Sequence, residues 1–146
     1  MTESEDQKTN QNRLSLVISG FECNPNEITE KLAISPTKVG MKGETYQIGP
    51  KDKKIDKVWP YNFWSYLQES ETNQFIGELA TKFIGEVIAP KVSELKEISK
   101  YSMVEFQIVQ YYYNGCNPGL VVDKKSIQLL SIAGVSLDVD VYCLGE

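Results

Sequence analysis

Gly134-Val135-Ser136-Leu137-Asp138-Val139-Asp140-Val141-Tyr142 alternates without a fault. Successive residues of an extended chain point to opposite faces. Val135, Leu137, Val139 and Val141 therefore share one side, and Ser136, Asp138, Asp140 and Tyr142 the other. One side is core and the other is polar, so this is a strand of a sheet covered on one face. Working backwards, residues 123–133 read as a helix. Asp123 can cap its start, Ile127 and Leu130 fall inward, and Gly134 suits its C-terminal end. Before it, residues 102–113 make a long strand with Val104, Phe106 and Ile108 on one face. Residues 114–119, Asn-Gly-Cys-Asn-Pro-Gly, are dense in turn formers, so Leu120 to Val122 are expected to pair back as a hairpin.

Further upstream, residues 71–89 show the strongest helical signal. Phe75, Ile76, Leu79, Ala80, Phe83, Ile84, Val87 and Ile88 recur every three to four residues as a broad apolar stripe. Pro90 stops or kinks that helix, and residues 91–99 resume it with Val92, Leu95 and Ile98 inward. Residues 58–67 are aromatic, with Pro60 suited to a strand start. Residues 39–48 read as a weak strand broken by Gly40 and Gly43, and residues 49–56 as a charged loop.

At the other end, residues 13–21 form a strand with Leu14, Leu16 and Ile18 on one face and Val17 on the other. Asn24-Pro25-Asn26-Glu27 is a helix start: a capping asparagine, a proline at the first position and a glutamate at the third. Ile28 and Leu32 follow on one face, and Pro36 ends the helix near Ile34. The element order is β-α-β-β-α-β-β-α-β. The class is α+β, a mixed, mostly antiparallel sheet with helices packed on one face. The first six elements match the order of a ferredoxin-like, split βαβ unit. Residues 13–146 make a single domain, and residues 1–12, polar throughout, are expected to be a disordered tail.

The chain has 146 residues, 41 % of them hydrophobic, enough for a sizeable core. No apolar run approaches the ~20 residues of a membrane helix, and the polar start carries no secretory signal. With 15 Lys+Arg against 20 Asp+Glu, the net charge is −5, and Arg13 is the single arginine. Readers of phosphate favour the bidentate guanidinium, so nucleic acid is not an expected partner. The lysines between Lys38 and Lys57 are interrupted by Glu44, Asp52 and Asp56 and read as a solvated loop. Histidine is absent from the sequence, which removes the commonest general base, the commonest metal ligand and every histidine-based triad. Cys23, Cys116 and Cys143 are scattered and odd in number, which suits a reducing cytoplasm and argues against zinc.

Two signatures stand at opposite ends of the chain. One is Ser15-Leu16-Val17-Ile18-Ser19-Gly20-Phe21 followed by Asn24-Pro25-Asn26-Glu27-Ile28-Thr29, with Ile34-Ser35-Pro36-Thr37 and Gly43-Glu44 beyond. The other is the closing strand 134–142, with Trp59 or Trp64 between. In this order they resemble the bacterial domain-of-unknown-function family numbered 4279, over roughly residues 14–142. The resemblance implies a small bacterial cytosolic α+β domain. It implies no activity, so no catalytic residue is carried over.

The residues themselves offer two candidate sites. Asp138 and Asp140, about 7 Å apart on one strand face, can hold a divalent cation or share acid and base roles if Glu22 or Asn24 adds a further oxygen. Their structural reading is the polar outer face of a strand. The aromatic residues Trp59, Tyr61, Phe63, Trp64 and Tyr66, with Tyr111, Tyr112 and Tyr113, are too many in sequence to face inward together. Trp and Tyr dominate binding hot spots, so Trp59, Tyr61, Trp64 and Tyr112 are the expected partner surface. Cys23 sits before a helix start, where a thiol can be activated, but no histidine is present to assist. No Gly-rich phosphate loop or nucleophile elbow occurs.

The leading expectation is a cytoplasmic, non-enzymatic protein-binding domain with no cofactor and no membrane contact. Its sharpest form is an immunity protein that covers a toxin's active site, by analogy of size and charge. Its acidic balance suits a basic partner. The alternative is a metal-dependent hydrolase or small-ligand domain using Asp138, Asp140 and Glu22. The oligomeric state is not fixed by the sequence.

Overall fold

The computed structural model describes residues 8–115 and 119–145. Among these residues a five-stranded sheet runs in the order β2-β5-β1-β6-β7, and β3 and β4 form a separate hairpin. The strands are β1 (Gln11–Ser19), β2 (Lys38–Gly40), β3 (Thr45–Ile48), β4 (Ile55–Val58), β5 (Phe63–Glu71), β6 (Met103–Tyr112) and β7 (Ser136–Cys143). The helices are α1 (Pro25–Leu32), α2 (Ile76–Phe83), α3 (Val92–Ser99) and α4 (Lys124–Ala133). Strand β1 is central, antiparallel to β5 on one side and to β6 on the other. With β2 antiparallel to β5, four strands reproduce the split βαβ arrangement that the element order implies. Helix α4 then crosses over to lay β7 parallel to β6, as a parallel pair requires.

The register assigns each residue to a face. Leu14, Leu16 and Ile18 of β1, Trp64 of β5 and Val104, Phe106 and Ile108 of β6 point to one side. There they join Ile28, Leu32, Ile76, Ala80, Phe83, Leu95, Ile98, Leu130 and Ala133 from the four helices in a single core. Phe83 stacks between Tyr66 and Phe106, with centroids 6.3 and 4.7 Å away. Among the described residues no helix packs on the opposite face. Class and face assignment are therefore as expected for an α+β sheet covered on one side.

Several local expectations are corrected. Residues 71–75 are not helical: Glu71 belongs to β5, and Phe75 is a helix N-cap that is 68 % exposed. Pro90, expected to stop or kink the helix, does interrupt it: α2 gives way after Phe83, and Lys91, at φ −121 and ψ 21, leaves helical geometry before α3. A π-helical turn (Ile84–Ile88) and a 3-10 turn (Ala89–Lys91) lead into α3. Proline lacks the N–H and crowds the carbonyl four residues back, and a change of helical pitch absorbs both. Residues 39–48 do not form one strand; they split into β2 in the main sheet and β3 in the hairpin. Residues 120–122 are not a strand but a loop into α4. In α4 the buried face is Ser126, Leu130 and Ala133, while Ile127 is exposed.

The expected tail of residues 1–12 is too long. Gln11 and Asn12 are in β1, and Asn10 and Asn12 are buried; residues 1–7 lie outside the described residues. The caps behave as expected: Asn24 accepts from the Asn26 N–H at 2.9 Å and Asp123 from the Ser126 N–H at 2.7 Å.

Candidate functional site

The uncovered sheet face is built from the odd residues of β1, β5 and β6 and the even residues of β7. Rows run straight across it. Ser65, Val17, Glu105 and Ser136 make one row; Leu67, Ser15, Gln107 and Asp138 the next; Glu69, Arg13, Val109 and Asp140 a third. Arg13 pairs with Glu69 at 3.1 Å, both exposed. Tyr111 and Tyr142 stack at 5.4 Å in the last row. At the other end the face turns apolar, where Phe63, Ser19 and Met103 align.

That apolar corner is assembled from distant segments. Trp59 lies between Tyr46 of β3, centroids 4.2 Å apart, and Phe63 of β5, 5.1 Å apart. The Lys38 ammonium stands 5.3 Å from the Trp59 ring and 5.7 Å from Tyr46, within cation–π range. Gly40 is what lets the indole lie flat: a Cβ there would overlap the ring of Trp59. Asn62 ties the corner to the rest of the fold. Its side chain accepts from the Lys42 N–H at 2.8 Å and donates to the carbonyls of Phe21 and Cys23 at 2.9 and 3.2 Å. Beside this stack a groove of about 390 Å³ opens between Val17, Tyr61, Phe63, Met103 and Glu105. Tyr61 is 46 % and Met103 59 % exposed.

The four aromatic residues expected to share a surface are separated. Trp59 and Tyr61 are at the corner. Trp64 is fully buried in the core, its indole N–H donating to Thr29 Oγ1 at 3.0 Å, and this corrects its assignment to a partner surface. Residues 63 and 64 of one strand must face opposite ways, so only one of the pair can join the corner. Tyr112 faces the helix side near the far end of β6, some 30 Å from Met103 at ~3.3 Å per residue. Sequence reasoning missed Tyr46, Gly40, Asn62 and Met103; they come from separate segments, and no period in the sequence links them.

Asp138 and Asp140 do share the uncovered face, on an edge strand, and both are exposed. Glu22 is not brought to them. It follows β1, two strands away or about 10 Å across, and beyond the level at which β7 begins. Among the described residues no group of three His, Cys, Asp or Glu side chains is placed to hold a metal. Charges on an edge strand also discourage pairing with other chains, and the two aspartates serve that purpose as they stand. Cys23 is not activated: burial pushes its thiol up, and a hydrogen bond to Glu27 adds to the rise. Cys143 is exposed and unpaired, and Cys116 lies outside the described residues.

A second, polar cleft of about 550 Å³ opens on the helix side of the sheet, where the first residues of β1 meet the end of β6 and the start of α2. A larger apolar cleft of about 630 Å³ separates α2 from residues 119–123. No helix among the described residues is long and apolar enough to cross a membrane.

The family model described as Domain of unknown function (DUF4279) matches residues 8–144. No curated protein and no solved structure matches the chain. The match covers nearly the whole sequence, and the chain belongs to this family.

Proposed function

We propose that this member of the DUF4279 family is a non-catalytic protein-binding domain whose partner docks on the uncovered sheet face at the Trp59–Phe63 corner. The observation that carries the reading is the groove beside exposed Tyr61 and Met103, on a face that no helix among the described residues covers. Solvent-exposed aromatic and methionine side chains around a groove are the composition of a binding hot spot. The Asn62 hydrogen bonds and the Trp59 stack hold it rigid, so little ordering entropy is spent on binding. Glu105 in the groove and the net charge of −5 favour a basic partner. The immunity-protein form of this reading, in which the partner is a toxin blocked at its active site in the cytoplasm of a bacterium, rests on size and charge. The metal-hydrolase alternative lacks a third ligand beside Asp138 and Asp140 among the described residues and is not carried forward.

The test compares the tagged chain with its Tyr61→Ala/Met103→Ser variant in one lysate of the source cells, read by mass spectrometry. Both replaced side chains are exposed, so the variant keeps the melting temperature. The reading expects a stoichiometric protein on the parent bait that the variant loses. A partner retained equally by the variant, or none on either bait, would overturn it.

A further inference from the structure

The hairpin of β3 and β4 is a sheet of its own. Tyr46 anchors its foot against the Trp59 ring, and backbone bonds of 2.9 Å join Trp59 to Gly43 and Glu44. Beyond that foot every residue from Gln47 to Val58 is exposed. A two-stranded hairpin with no further packing is marginal in water, and burial of its exposed side chains on a partner would stabilise it. Gly49, at φ +101, and a bond of 2.9 Å from the Lys53 N–H to the Pro50 carbonyl close the tip, which carries Lys51, Asp52, Lys53 and Lys54.

The register sorts this arm into two unlike faces. Tyr46 lies opposite Lys57, and Ile48 opposite Ile55. Directly opposed residues share a face, with Cβ atoms about 5 Å apart. One face therefore carries Ile48, Ile55 and Lys57 beyond Tyr46; Ile48 is 41 % and Ile55 60 % exposed. The other carries Gln47 and Asp56, joined by a hydrogen bond of 3.0 Å, so the strand carboxylate is turned away from the isoleucines. Residues 45–58 hold four lysines against two aspartates, a net +2 in a chain of net −5, which leaves −7 for the rest. None of these four lysines forms an ion pair among the described residues.

We propose that the isoleucine face of this arm docks on an anionic lipid surface. Ile48 and Ile55 enter the boundary between headgroups and acyl chains, and Lys51, Lys53, Lys54 and Lys57 meet the headgroups. Segments that lie on membranes combine these two ingredients, apolar side chains that insert and cations drawn to the negative surface. Charge complementarity selects the partner, because the arm is a cationic part of an acidic protein. A mobile headgroup layer takes lysines, which act as point charges, without the guanidinium forks that phosphate readers use, and the acyl boundary takes aliphatic side chains. The lysines read as a solvated loop in sequence; the isoleucine pair among them comes from the register. The variants that test this arm leave Tyr61 and Met103 in place, so it stands or falls apart from the Trp59–Phe63 groove.

The test is co-sedimentation of the full chain, at low salt, with vesicles of phosphatidylcholine alone and of phosphatidylcholine mixed equally with phosphatidylglycerol. The proposal expects binding to the mixed vesicles and none to the neutral ones. Lys53→Ala and Lys54→Ala are each expected to weaken it about fivefold, the equivalent of the ~1 kcal/mol that a lysine gains at an anionic surface. Ile48→Ser/Ile55→Ser keeps every charge and is expected to weaken it about tenfold. All these side chains are exposed, so the variants keep the parent's melting temperature. No binding to the mixed vesicles, equal binding to both kinds, or binding indifferent to the lysine variants would overturn the proposal. So would mixed-vesicle binding that the isoleucine variant matches, which is the behaviour of a general polyanion binder such as a nucleic-acid arm.

Discussion

Replacing Asn12 by Leu and Gln110 by Met, singly and together, tests the buried amide pair through its non-additivity. Asn12→Leu removes the 2.9 Å bond to Gln110 and the two longer bonds to Ser70 and Thr72. It leaves Gln110, 1 % exposed, with both ends of its amide unmatched. An orphaned buried group costs about 1–3 kcal/mol and each lost bond about 1, so with three bonds lost and the Gln110 amide nitrogen orphaned the single variant loses roughly 4–6 kcal/mol. Gln110→Met orphans only the Asn12 oxygen and deletes an acceptor that was already unmatched, so it loses less, roughly 1–2 kcal/mol by the same magnitudes. In the double variant both polar partners are gone and the volumes are nearly kept. Such paired replacement approaches neutrality, so the double loses at least about 1 kcal/mol less than the sum, well within the range of contacting pairs. Urea unfolding followed by circular dichroism reads this directly, since midpoints at a constant slope report stability. Additivity within about 0.5 kcal/mol would mean the two amides do not share a bond.

Gly134 closes α4 at φ +72, and a Cβ there would overlap the Ser99 side chain; Gly134→Ala is expected to cost roughly 2–3 kcal/mol in urea unfolding, from left-handed strain plus the clash. Ala33 ends α1 at φ +54, so Ala33→Gly is expected to raise stability by about 0.5–1 kcal/mol, against the usual penalty for adding glycine. Hydrogen bonds from Ser126 hold the Asp123 carboxyl below its ordinary range. Its contribution is present above the unfolded aspartate value and lost as acid carries it through the lowered folded one. Asp123→Asn, which keeps the capping oxygen, should therefore lower the melting temperature at neutral pH and match the parent in strong acid. Millimolar Mg²⁺, Ca²⁺ or Mn²⁺ should leave the melting temperature unchanged; a rise abolished by Asp138→Asn would restore a metal role for the closing strand.

Alternation and capping carried most of the architecture in sequence. The strand faces of β1 and β6, the Asn24 and Asp123 caps and the Gly134 stop are all local signals, and each stands where the residues imply. The misplaced pieces depend on distant contacts. Phe75 belongs to the apolar stripe by spacing, but β5 runs on through Glu71, so the helix starts late and Phe75 is left at its rim. Trp64 and Phe63 look alike in sequence, and only the pairing of β5 with β1 decides which one enters the core. The corner needs Gly40, Tyr46 and Trp59 from three segments, and the polar helix-side cleft needs Asn10, Asn73 and Gln110 from three strand ends. No period in the sequence links such positions. Asn10 and Asn12 were hidden for a related reason: a polar run reads as solvated until its hydrogen-bond partners, a hundred residues away, are known.

The central place of β1 has a consequence for how this chain leaves the ribosome. Its partners are residues 63–71 and 103–111, so the strand made first waits longest for its sheet. At ~5–20 residues per second, β6 emerges roughly five to twenty seconds after β1. Until β5 emerges both edges of β1 are unpaired, and until β6 emerges one edge stays open and Leu14, Leu16 and Ile18 lack half of their core, the exposure that recruits chaperones or seeds aggregation. Slowing translation between β5 and β6 would prolong that window and lower soluble yield, whereas a pause after β7 would not.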